Sequence, residues 1–98
     1  MRSHHGADAR SLALHAEVAK ILANDPSIRD RARLRLARLH AEYRDAWERL
    51  LDGSLDELLA TLVDPSPRAT ALRQASPFSF ALDHATRWRI LRATRTQP

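Results

Sequence analysis

Proline stands at 26, 65, 67, 77 and 98 of this 98-residue chain, glycine only at 6 and 53, and between these breakers apolar residues recur every three or four positions. A chain so poor in permissive backbone has few places to turn, and this repeat matches the 3.6-residue period of an α-helix rather than the alternation of a strand. The expected fold class is all-α, a single small helical domain over residues 1–98. Fifteen leucines with abundant alanine and arginine reinforce it, because these are strong helix formers.

The breakers also set the expected boundaries. Residues 1–10, with His4 and His5, show no periodicity and read as a flexible tail. Ser11 can cap a first helix to about Asn24, whose apolar face is Leu14, Val18, Ile21 and Leu22. Asp25-Pro26 then opens a helix, with proline where its missing N–H costs nothing. The stripe Ile28, Ala32, Leu36, Leu39, Tyr43, Trp47 and Leu50 predicts one continuous helix from Pro26 to Asp52, roughly 40 Å long at 1.5 Å per residue. Gly53 supplies a left-handed cap, and Ser54 to Glu57 reads as a capping box for a short helix bearing Leu55, Leu58, Leu59 and Leu62. Asp64-Pro65-Ser66-Pro67 starts another helix to about Ala75, which Pro77 ends. Residues 77–82 are expected extended, with Asp83 capping a last helix over 84–94. The predicted architecture is one long central helix, an N-terminal helix packed on it, and short C-terminal helices forming an arm over 77–98.

Several function classes are excluded by what the sequence lacks. Cysteine is absent, no apolar run approaches the ~20 residues of a membrane helix, and MRSHHGADAR has no apolar centre of a signal peptide. A soluble cytoplasmic protein with no membrane contact is expected. His15, His40 and His84 show no ligand spacing, the carboxylates sit at helix caps and surfaces, and there is neither a glycine-rich phosphate loop nor a GxSxG. The expectation is no enzyme, no metal and no cofactor.

Charge alternates along the chain. Residues 1–38 carry eight basic and four acidic side chains, 39–64 carry two and seven, and 65–98 carry six and one, for a net +4. Arg29, Arg31, Arg33, Arg35 and Arg38 could contact phosphates, making a nucleic-acid-binding regulator one alternative. On a helix, however, they flank the leucine stripe on both sides rather than forming one basic face. HAEVAKILANDPSIRDRARL has the length of a helix-turn-helix, but its second helix is predicted to run on past the length of a recognition helix. Leu34, Ala37 and Ala41 make a second narrow apolar strip that either meets the N-terminal helix or accepts a partner, and a homo-oligomeric scaffold such as a homodimer, using the exposed stripe of the long helix, is a further alternative.

The sharpest signal is LRQASPFSFALDHATRWRIL, residues 72–91, which holds three of the chain's five aromatic residues beside arginine. Aromatic and arginine side chains dominate binding energy at protein interfaces. Arg73, Phe78, Phe80, Arg87, Trp88, Leu91 and Arg92 are accordingly the candidate partner-binding residues. The alternative for Phe78, Phe80 and Trp88 is that they fold back into the core.

Three blocks share an order with a known family: Trp47 to Leu59 (WERLLDGSLDELL), Leu72 to Phe78 (LRQASPF) and Arg87 to Arg92 (RWRILR). With the helical lead-in SLALHAEVAKILANDPSIRDRARLRLARL they cover roughly 80 residues, and this stretch resembles the C-terminal region of small actinobacterial antitoxin-like proteins. The resemblance implies a cognate partner, a nucleotidyltransferase-like toxin of the abortive-infection class, which such proteins neutralise by direct binding. Some longer relatives carry a separate DNA-binding helix-turn-helix, for which this chain has no room, so transcriptional control is not expected to carry over.

Overall fold

The computed structural model describes residues 5–95, with side chains from 8 to 94, and these form six α-helices and no strand. The helices are α1 (His5–Asn24), α2 (Ser27–Arg33), α3 (Ala41–Asp52), α4 (Leu55–Leu62), α5 (Pro67–Gln74) and α6 (His84–Arg95), with single 3₁₀ turns at Leu36–Arg38 and Ser79–Ala81. None of these helices is long and apolar enough to cross a membrane.

The caps of the last three helices follow from sequence. Ser54 Oγ accepts from the Glu57 N–H at 3.1 Å and Ser66 Oγ from the Ala69 N–H at 3.3 Å, the second just ahead of Pro67. Asp83 Oδ1 accepts from the Thr86 N–H at 2.7 Å, a bond that holds the Asp83 carboxyl below its usual range. Each cap satisfies an N–H that the first helical turn leaves without an intrahelical partner.

The single long helix is not found. α2 stops at Arg33, the chain makes the turn at Leu36–Arg38, and Leu39 and His40 are extended with ψ of 152° and 143° before α3 begins. As one rod the segment would be as long as the whole molecule, whose longest extent is 38 Å, and much of its stripe would have nothing to cover it. The break lets α2 fold back onto α3, so that Ile28 and Ala32 reach the same core as Trp47 and Leu51. Arginines secure the fold-back. Arg29 Nε and Arg33 Nη2 each donate to the Leu51 carbonyl at 2.8 Å, Arg29 also donates to the Gly53 carbonyl, and Arg33 pairs with Asp52. These are carbonyls and charges at the negative end of α3, where a guanidinium is favoured.

Gly53 does not take the expected left-handed conformation, its φ being −86°. Space is tight there instead, since a Cβ would meet the Arg49 carbonyl oxygen at 3.3 Å.

The centre of the molecule is α1, which touches α2, α4, α5 and α6. Every side chain from Ser11 to Ala19 is buried or half-buried, with Val18 and Leu22 fully in the core. The expected tail is therefore helical from His5 onward, while residues 1–4 lie outside the described ones. The expected arm is also folded in: Pro77 and Phe78 are buried, and Ile90 anchors α6 against the core. Phe78 meets Trp47 edge to face, with ring centroids 5.8 Å apart, and Trp47 Nε1 donates to the Leu72 carbonyl at 3.0 Å. This pair joins α3, α5 and the 77–82 segment at the middle of the protein.

Candidate partner-binding surface

α6 divides the candidate residues by its own periodicity. Arg87, Ile90, Leu91 and Thr94 turn toward the rest of the protein and are buried or half-buried. Ala85, Trp88, Arg89, Arg92 and Ala93, at steps of three, one, three and one, share the outward face and are exposed. Trp88 is 55% accessible, in contrast to Trp47, which is fully buried. The small side chains of Ala85 and Ala93 leave a shallow depression around the indole, edged by Arg89 and Arg92. Arg89 belongs to this face although the aromatic cluster alone did not select it; its spacing of four from Ala85 and three from Arg92 was the available signal.

Arg73, Phe78, Arg87 and Leu91 come together elsewhere. They line a cleft of about 340 Å³ between α1, the segment joining α5 to α6, and α6 itself, together with Arg10, Ser11 and His15 of α1. Arg73 and Phe78 are buried, which removes both from any flat contact surface. Phe78 is core. Arg73 is a strut: its guanidinium donates to the Asp64 carbonyl at 2.6 Å, the Thr61 carbonyl at 3.2 Å and Thr70 Oγ1 at 3.2 Å, tying the end of α4 to α5. Arg87 Nη2 donates to the Ser79 carbonyl at 2.8 Å and so fixes the turn that precedes α6.

Phe80 joins neither group. It lies under two guanidinium groups, Arg31 at 4.6 Å and Arg35 at 4.5 Å from its ring centroid, a favourable placement of cations over an aromatic face. Together with the roles of Arg29 and Arg33 at the end of α3, this engages four of the five arginines of the proposed nucleic-acid run within the fold; Arg38 is exposed. Leu34 is 81% accessible, and Ala37 and Ala41 are exposed beside the helix break.

Among the described side chains His15 is the one buried histidine, its Nδ1 donating to the Ser11 carbonyl at 2.8 Å. Burial pushes its pKa below the ordinary value of 6.5, the bond to Ser11 opposes this, and the charges of Arg73 and Arg87 lower it further. The unfolded chain therefore takes up a proton at a higher pH than the folded one, and stability falls as pH drops below about 6.5 toward the folded-state value. Urea unfolding midpoints between pH 7.5 and 5 should show this decline, and His15→Gln should flatten it; an equal slope in both proteins would contradict the assignment. Among the described residues no three histidine, aspartate or glutamate side chains gather as a metal-binding group.

No protein-family model matches the chain, and neither a curated protein nor a solved structure matches it.

Proposed function

We propose that this protein is a non-catalytic antitoxin, which neutralises a nucleotidyltransferase-like toxin by direct protein–protein contact through the outward face of α6. The observation that carries the reading is Trp88. A small domain with two tryptophans buries one completely and leaves the other 55% accessible, on a helix face with Arg89 and Arg92 and two alanines. An exposed indole gives up little conformational entropy on binding and carries a large apolar area, and Trp and Arg are the residues most enriched among binding hot spots. Arg89 and Arg92 point to a partner surface that is acidic around an apolar recess. The family resemblance supplies the partner class. Binding without catalysis is sufficient for this role, because occupying or distorting the toxin inhibits it.

Co-expression with the product of the adjacent reading frame tests the reading. A stable complex should co-purify and relieve that product's toxicity. Replacing Arg89 and Arg92 with glutamine should slow association, with the difference shrinking as salt is raised, because rim charges act chiefly by long-range steering. A toxin that is neither bound nor neutralised would contradict the proposal.

A further inference from the structure

The described lining of the cleft between α1 and α6 is basic, with no acidic side chain in it. Three arginines line it, Arg10, Arg73 and Arg87. Arg73 is 3% accessible, yet its hydrogen bonds go to two backbone carbonyls and a hydroxyl, and its Nε is buried without a partner. Arg87 likewise spends its hydrogen bond on an uncharged carbonyl. The carboxylates of Asp64 and Asp8 act on Arg73 through space only, and Asp64 Oδ1 already accepts from the Ser66 N–H at 2.9 Å. Asp64 and Asp8, the latter with its Oδ1 buried and without a hydrogen-bond partner, thus offset part of the Arg73 charge. Arg10 and Arg87, in contrast, have no acidic side chain beside them in the described lining, where a bound anion would be favoured.

The rest of the lining is apolar. Leu14, Val18, Phe78, Leu82 and Leu91 present hydrocarbon and an aromatic ring to the same space. About 340 Å³ lies within the range of small-ligand sites, which pair an apolar lining with a few polar groups. We infer that this cleft binds a small organic anion, a carboxylate or phosphate monoester carried on a compact aromatic or aliphatic group, with Arg87 and Arg10 meeting the charge and the leucines with Phe78 holding the apolar part. Trp88 is not among the residues lining the cleft, so ligand binding here and partner binding on the outer face can be separated.

Titration of the full chain with phenyl phosphate, followed by NMR, tests the inference, with benzoate as the carboxylate arm, benzyl alcohol as the neutral one and inorganic phosphate as the anion without a ring. Saturable shifts should appear at His15 and at the amides of Leu14, Ser79 and Leu91 with phenyl phosphate or benzoate. Benzyl alcohol and inorganic phosphate should each bind at least about tenfold more weakly, the scale of one charge-assisted contact. Arg87→Gln should lower affinity about tenfold and Trp88→Ala should leave it unchanged; Arg10→Gln, at an exposed position, provides a second weakening variant should Arg87→Gln misfold. Absence of saturable shifts at the cleft, equal binding of benzyl alcohol, or undiminished affinity in a folded Arg87→Gln or Arg10→Gln protein would overturn it.

Discussion

Trp47→Ala is expected to cost about 3–5 kcal/mol of folding stability, the range for truncating a buried tryptophan or phenylalanine. Two effects at one site place it there. The indole is fully buried against Phe78, and its Nε1–H satisfies the Leu72 carbonyl, which truncation leaves without that donor in the core. For a domain of this size the total is about 5–15 kcal/mol. The variant should therefore be partly unfolded at ambient temperature or show a melting temperature lowered by roughly 4–8 °C per kcal/mol. Phe78→Ala should act in the same direction, and the two losses should not add, because each variant removes the same edge-to-face contact. A thermal scan giving less than about 1 kcal/mol for Trp47→Ala would contradict the placement of this pair at the centre.

The sequence made the helical class, most caps and most core positions legible. Ser54, Ser66 and Asp83 stand directly before helices that begin where their side chains can reach the free N–H groups. The stripe from Ile28 to Leu50 is buried or half-buried at every position. What the stripe did not reveal is that the helix breaks within it. No glycine or proline marks 34–40; the break is driven by tertiary contacts, with Arg29 and Arg33 folding back on α3 and Leu36 and Leu39 turning in with a new direction. Such a preference lies in residues about 20 positions apart, where local periodicity carries no information.

The central place of α1 had a readable signal. Leu12, Ala13, Leu14, Ala16, Val18, Ala19, Ile21 and Leu22 put small or apolar side chains on several faces, the mark of a helix surrounded by others. The Leu14–Leu22 face alone does not show it. The candidate site was legible as residue types but not as geometry. Within residues 72–92 the helical phase of α6 sends Trp88 and Arg92 outward while Arg87 and Leu91 face the cleft. Phe78 illustrates the limit: an aromatic beside a proline is compatible with an anchor or a core residue, and only its contact with Trp47 decides.

Trp88→Ala should behave oppositely to Trp47→Ala. The side chain is largely exposed and among the described residues no hydrogen bond ties its indole to the fold, so stability should change by less than about 1 kcal/mol. Partner affinity should fall by about 2 kcal/mol or more, close to 30-fold, the threshold that defines a hot spot. Arg92→Ala should cost less, because a rim charge in solvent contributes more to encounter than to the bound state.

The most direct measurement is the dissociation constant of the proposed complex with a toxin for wild type and Trp88→Ala, with melting temperatures recorded on the same preparations. A roughly 30-fold or greater weakening with a melting temperature within a few degrees of wild type is the predicted result. Unchanged affinity in a fully folded Trp88→Ala protein would contradict the outward face of α6 as the binding surface.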